Sequence, residues 1–165
     1  MIKDEAKKEK LIGSVKTLLE AARKNNATIV HCLINTAQDP PVANKAREHW
    51  YTVHKPMLES MPNMGAEYDE IAPKKAARGG GGHESVSLRA PGYRSVLVAE
   101  GIVPLLRETP GIKHLILGGI ATSGAVLGTA THGTDLDFVV TVVGDACWDP
   151  NQEVHNALIN TVIPT

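Results

Sequence analysis

The sequence is poor in aromatic residues and contains no long apolar run. Phe, Trp and Tyr together make up 4% of its 165 residues. A core without aromatic bulk must be built from Val, Ile, Leu and Ala, which is typical of parallel strands covered by helices on both faces. No apolar stretch reaches the ~18 residues that are needed to cross a bilayer. The sequence therefore predicts a single domain over 1–165 with no membrane partner.

The sequence also lacks an excess of basic charge and has few cysteines. Its 17 Lys and Arg residues against 18 Asp and Glu residues give a formal net charge of -1. Nucleic-acid-binding proteins need a basic surface, so we expect no nucleic-acid partner. The charged N-terminal segment lacks the apolar centre of a signal peptide. Cys32 and Cys147 lie in or beside apolar runs and are interpreted as reduced core thiols, which predicts a cytoplasmic protein.

Helices and buried strands alternate along most of the chain. Apolar residues at helical spacing predict a helix over 5–24. Strands are predicted near 27–34, 84–88, 114–119 and 138–143, and further helices around 43–52 and over 95–108, 123–133 and 151–163. This alternation predicts a three-layer α/β/α Rossmann-like sandwich with a mostly parallel sheet.

Two stretches invite a functional interpretation that their spacing does not support. The four glycines at 79–82 are followed by no Lys-Ser or Lys-Thr pair, so they do not match a phosphate-binding loop, and a flexible loop is expected over about 72–83. His49 and His54 are five residues apart, which places them poorly on one helical face. We therefore expect neither a metal site nor a cofactor.

The segment GGIATSGAVLGTA, followed by FVVTVVGDACWD, carries a family resemblance. These two pieces resemble the nucleophile turn and the next strand of the isochorismatase-like hydrolase family, which includes cysteine hydrolases such as nicotinamidases. LLEAARKNNATIVHCL is similar to the family's first helix and second strand, and His155 with its hydrophobic helix is similar to the last helix. The resemblance covers most of 11–163, is closest to an "ATSG" or "STSG" branch, and implies a small-molecule hydrolase fold.

The chemistry that the resemblance implies uses three side chains. A cysteine at a helix N-terminus attacks an amide carbonyl, an aspartate from the first strand takes the thiol proton, and a lysine stabilises the charge. In this sequence the cysteine position corresponds to Ala125 and the lysine position to Arg89. The aspartate belongs to a strand ahead of the first helix, so we expect the domain to be N-terminally incomplete. By the family order, that strand lies between the strands at 27–34 and 114–119.

The resemblance also implies where a ligand binds. The turn supplies backbone N–H groups to an oxyanion, as backbone donors do in acyl transfer, and the peptide between Ile120 and Ala121 is often cis in the family. Ser123 or Thr122 is expected to cap the following helix. The expected substrate-binding residues are Ala121, Thr122, Ser123, Gly124 and, from the long loop, Trp50.

Three functions stay open from the sequence. The chain is a family member that is inactive or weakly active because Ala125 has no sulfur and no histidine base for Ser123 is evident at a fixed spacing. Alternatively, it hydrolyses an amide or a vinyl ether by a non-thiol mechanism. The true isochorismatases of the family lack the cysteine and cleave a vinyl ether by acid catalysis. The third hypothesis is a non-catalytic scaffold subunit. In each case we expect a homo-oligomer and a possible small-molecule ligand.

Overall fold

The structure is a computed structural model that describes residues 2–43, 45–61, 65–73, 83–108 and 111–163. Six α-helices and four strands follow one another as α1 Glu5–Lys24, β1 Ile29–Ile34, α2 Arg47–His49, α3 Lys55–Ser60, β2 Glu84–Arg89, α4 Ile102–Glu108, β3 His114–Ile120, α5 Leu127–Asp135, β4 Val139–Trp148 and α6 Gln152–Ala157. π-Helical turns occupy Trp50–His54, Thr122–Val126 and Leu158–Val162. Most of the loop expected over 72–83 lies outside the described residues.

The strands form two parallel pairs. β1 pairs with β2, with Ile29 opposite Glu84, and β3 pairs with β4, with His114 opposite Val139. The predicted α/β fold with parallel strands is therefore confirmed. The two pairs are separate sheets, and in the described part of the chain β1 and β3 each have one ladder partner.

α1 has the predicted bounds because both of its ends are capped. The side chain of Asp4 accepts a hydrogen bond from the backbone N–H of Lys7 at 3.2 Å, as an N-cap does. At the other end, the backbone N–H of Asn25 donates to the carbonyl oxygen of Ala21 at 3.2 Å. Arg23 in the last turn donates to both carboxylate oxygens of Glu84, which joins α1 to the start of β2.

Three predicted elements have clearly different bounds in the structure. The helix predicted around 43–52 begins and ends later, since helical turns follow one another from Arg47 to Ser60. The helix predicted over 95–108 is wrong in its first half, where a 3₁₀ turn, Val96–Val98, precedes α4. Gly101 has φ +78°, a left-handed conformation that interrupts helix and that glycine adopts without strain. The strand predicted near 138–143 continues to Trp148, because pairing with β3 resumes at Cys147 after a register shift between Leu117 and Gly119.

The main core lies between α4 and β3 and holds β3 in place. Its buried members are Leu97, Ala99, Ile102, Leu106, Leu115 and Phe138. α5 packs closely on the same strands at Gly133, where an added Cβ would lie 3.0 Å from Val140. These contacts hold the amino ends of β3 and β4, and β3 runs from there to the turn of the resemblance. Separately, none of the helices in the described ranges has the length and apolar character of a membrane span.

Candidate functional site

The turn after β3 is built as the resemblance implies. The peptide between Ile120 and Ala121 is cis. The carbonyl oxygen of Ala121 accepts hydrogen bonds from the backbone N–H groups of Gly124 at 3.0 Å and Val126 at 3.3 Å. Ala121, Ser123 and Ala125 are half-buried, so a small molecule can reach this turn from solvent.

Asp149, just beyond β4, holds the turn from outside its own helix. One carboxylate oxygen accepts the backbone N–H of Ser123 at 2.8 Å, and the other accepts the backbone N–H of Asn151 at 3.0 Å. Burial raises the pKa of this carboxyl, but the hydrogen bonds from Ser123 and Asn151 outweigh burial and leave the pKa below its usual value. The prediction that Ser123 or Thr122 caps the helix is wrong, since the N-cap residue is Ala121 and no side chain of the turn caps the helix.

This arrangement decides which donors the turn can offer to a ligand. The Ser123 N–H is taken by Asp149, and those of Gly124 and Val126 are taken by Ala121. The Ala125 N–H bonds to neither of these two acceptors within the described residues. The amides of Ser123, Gly124 and Val126 are therefore already used, and the Ala125 amide, at the cysteine position of the resemblance, stays the predicted oxyanion donor.

Thr122 and His155 form a pair that sequence spacing does not reveal. The Thr122 hydroxyl oxygen lies 2.8 Å from Nδ1 of His155 on α6. Thr122 is completely buried, so its hydroxyl cannot reach a substrate, although it has the histidine partner that a hydroxyl nucleophile needs. The pair joins α6 to the turn and has a structural role.

Arg94 is the cation that the structure brings to the turn, and sequence reasoning missed it. Its Nη1 donates to the Ser123 carbonyl oxygen at 3.5 Å, and its side chain is exposed. The backbone there lies close to α5, because a Cβ added at Gly128 would lie 2.7 Å from the Arg94 Cβ. Gly128, which lies inside the predicted helix 123–133, is the sequence signal that the segment of Arg94 comes close to α5.

Arg89 lies at the carboxyl end of β2 and is buried. Its Nε donates to the Tyr93 carbonyl oxygen at 3.1 Å, and burial lowers its pKa. In the described part of the chain, no ion pair includes Arg89. A buried guanidinium without a carboxylate partner is costly, and its correspondence to the lysine position stays a prediction of the resemblance.

Trp50 is also buried, at 5% exposure, and its Nε1 has no hydrogen-bond partner within the described residues. Its ring lies 6.1 Å from that of His54 between centroids. Among the residues that the structure describes, no hydrogen bond or ion pair joins Trp50 or Arg89 to the turn. Their assignment to the site stays a prediction.

Neither cysteine has the character of a nucleophile. Burial raises the pKa of Cys32 to about 11 despite the opposing charge of Arg89, and burial raises the pKa of Cys147 to about 11. Both thiols are unpaired. A reactive cysteine needs a pKa at or below its ordinary value, so both fit the interpretation as core thiols. The described residues contain no group of three or more His, Cys, Asp or Glu side chains that could hold a metal ion.

Solved structures with the same fold support the resemblance. An isochorismatase family protein from Desulfovibrio vulgaris superimposes with a TM-score of 0.69 and 24% identity, over 91% of this chain and 74% of that chain. N-carbamoylsarcosine amidase from Thermoplasma acidophilum gives a TM-score of 0.67 at 18% identity, over 93% and 80% of the two chains. A nicotinamidase from Bacillus subtilis gives 0.62 at 16% identity, over 95% and 83%.

Comparison by sequence agrees with the fold. No curated protein matches the chain. The model of the isochorismatase domain matches residues 1–164, which is nearly the whole sequence. With the parallel strand pairs and the turn after β3, this match shows that the chain belongs to the isochorismatase domain family of hydrolases.

Proposed function

We propose that this chain uses the isochorismatase fold to bind a small molecule at the turn after β3, and that it is inactive or weakly active as a thiol hydrolase. The observation that carries the proposal is Ala125, which stands on the turn where the family's cysteine would stand. Of the two cysteines elsewhere, Cys147 is buried and Cys32 is half-buried, and burial raises the pKa of each to about 11. Covalent thiol catalysis needs a thiolate next to the substrate, and neither Cys32 nor Cys147 supplies one.

The ligand that suits this turn carries a carboxylate or carbonyl oxygen. The Ala125 amide is one donor, and the exposed Arg94 guanidinium beside the Ser123 carbonyl is a nearby cation. Arg89 at the end of β2 adds a second positive charge by the family resemblance. Because Asp149 already occupies the Ser123 N–H, few donors remain, and we expect weak binding.

The test is a hydrolysis screen with a matched pair of cysteine variants. Nicotinamide serves as the amide and isochorismate as the vinyl ether, and each is tried with the unmodified protein, Ala125→Cys and Thr131→Cys. Thr131 is exposed on α5 and controls for adding a thiol. We expect no amidase activity above background in the unmodified protein, and faster alkylation by iodoacetamide of the cysteine at 125 than of the one at 131. Robust nicotinamide hydrolysis that alkylation of Cys32 or Cys147 abolishes would overturn the proposal.

The same screen separates the two remaining functions. Turnover of the vinyl ether without sensitivity to alkylation would support a non-thiol hydrolase. The scaffold alternative is favoured by apolar side chains that the sheets leave exposed, including Ile116 at 62% and Leu88 at 49%. Parallel sheets are normally covered on both faces, so these residues support the homo-oligomer that we propose. The two unpaired cysteines support a cytoplasmic location.

A further inference from the structure

A cleft lies between α1, the carboxyl half of β4 and α6. Its lining includes no residue of the turn 121–126. Its volume is about 210 Å³. This is below the roughly 300–1,000 Å³ of pockets for drug-sized ligands, so its occupant would be a small molecule. The residues that line it include Lys7 and Lys10 from α1, Trp148 from β4, and Gln152 and His155 from α6.

The charges in the cleft favour an anion. Lys7 and Lys10 are three residues apart and lie on one face of α1. Within the described residues, neither ammonium group has an ion-pair partner. Asp145 also lines the cleft but is exposed and makes no ion pair in that same part of the chain. Two lysines against one aspartate leave the cleft positive.

The remaining walls favour a flat apolar body next to the anion. Trp148 is half-buried and Leu11 is buried, and both line the cleft. An indole face and an aliphatic side chain contact an aromatic ring well. Gln152 adds an exposed amide whose Nε2 already donates to Asn156 Oδ1 at 3.1 Å, and the second N–H of this amide can donate to a carboxylate oxygen. His155 has its Nδ1 at 2.8 Å from Thr122 Oγ1, which fixes the ring in the wall of the cleft.

We propose that the cleft between α1, β4 and α6 binds a small aromatic carboxylate. The two lysines hold the carboxylate, and Trp148 with Leu11 contacts the ring. This site differs from the turn after β3, and the proposal does not depend on any activity there.

The test uses benzoate as the probe and the indole N–H signal of Trp148 as the reporter. The chain has two tryptophans, so its ¹H–¹⁵N spectrum has two indole signals, which Trp50→Phe assigns. We expect benzoate to shift the Trp148 signal saturably, with affinity on the order of millimolar, and to leave the Trp50 signal in place. Benzamide, which lacks the charge, should bind much more weakly.

Two double variants with equal charge test the lysines. Lys7→Gln with Lys10→Gln should weaken benzoate binding by about tenfold, the sum expected for two exposed ion pairs. Lys16→Gln with Lys24→Gln removes the same charge from exposed positions of the same helix that do not line the cleft, and should leave binding unchanged. Equal weakening by both pairs, equal binding of benzamide, or no saturable shift of Trp148 would each overturn the proposal. Full competition by inorganic phosphate would also overturn it, because it would indicate a general anion site.

Discussion

The carboxylate of Asp149 accepts the backbone N–H of Ser123 at 2.8 Å and thereby ties the end of β4 to the turn after β3. Ser123 and Asp149 are 26 residues apart in the sequence. The same carboxylate also accepts the backbone N–H of Asn151 at the start of α6. One side chain therefore fixes the relative positions of a strand end, a turn and a helix start. The geometry of the candidate site depends on this contact.

Replacing Asp149 should destabilise the fold. Asp149→Ala leaves two backbone N–H groups without their charged acceptor, and hydrogen bonds to charged groups contribute about 1.5–3 kcal/mol each. We expect a loss of roughly 2–4 kcal/mol in the free energy of unfolding, measured by urea denaturation. Asp145→Ala, which removes an exposed carboxylate from β4 itself, should change it little. Equal effects of the two variants would contradict the role given to Asp149.

His31 should make stability fall as the pH rises. Its ring lies between two carboxylates, with Nδ1 2.9 Å from Glu67 and Nε2 2.8 Å from Glu84, so both ring nitrogens donate when it is protonated. Burial lowers the pKa of His31, but the two hydrogen-bonded carboxylates outweigh burial and raise it. A raised folded-state pKa gives stability that is fully present below the ordinary value near 6.5 and lost as the pH rises through the folded value.

The measurement for His31 is urea denaturation from pH 5.5 upward. His31→Gln should abolish the decline in stability above the ordinary histidine pKa. The matched control is His114→Gln, since His114 is exposed and should leave the decline in place. If the unmodified protein becomes more stable as the pH rises over this range, the protonated ring of His31 does not stabilise the fold through Glu67 and Glu84.

Thr122 should contribute to the stability of the fold through the hydrogen bond of its hydroxyl, and not to catalysis. Thr122→Val keeps the shape of this buried side chain but leaves Nδ1 of His155 without its partner, which costs about 1–3 kcal/mol. Thr122→Ser restores the hydroxyl and should recover part of that loss, offset by the missing methyl group. Thermal unfolding followed by circular dichroism distinguishes the two variants. A valine variant as stable as the unmodified protein would show that the 2.8 Å contact adds nothing.

The order of elements was predictable from the sequence, but the contacts at the turn were not. The spacing of apolar residues predicts α1 and the centres of the strands, because each buried face requires apolar side chains at regular positions in the sequence. The break in the helix predicted over 95–108 depends on the left-handed Gly101, which periodicity does not register. Arg94 reaches Ser123 only because Gly128 lets the two segments approach, and such contacts between distant segments leave no local pattern.

Two glycines in helices should respond to alanine in opposite directions. At Gly128, an added Cβ would lie 2.7 Å from the Arg94 Cβ and 3.2 Å from the Ser95 backbone nitrogen, whereas at Gly13 no atom lies within 4 Å. Gly13→Ala should therefore stabilise α1 by about 0.5–1 kcal/mol. Gly128→Ala should destabilise the protein, because the segment that carries Arg94 must move. Urea denaturation of both variants tests this, and a stabilising Gly128→Ala would show that the two segments are not in close contact.

The exposed face of β3 should govern self-association. Ile116 is 62% exposed and Ile120 is 49% exposed, and in the described part of the chain β3 pairs with β4 alone, which leaves its other edge without a ladder partner. Unpaired strand edges with apolar side chains promote association between chains. We expect the chain to sediment as an oligomer or as larger aggregates in analytical ultracentrifugation, and Ile116→Lys to shift it towards the monomer. Val42→Lys alters a side chain that is 84% exposed outside the strands and should have no such effect. A monomeric unmodified chain that unfolds cooperatively at high temperature would show that the edge of β3 does not need a partner.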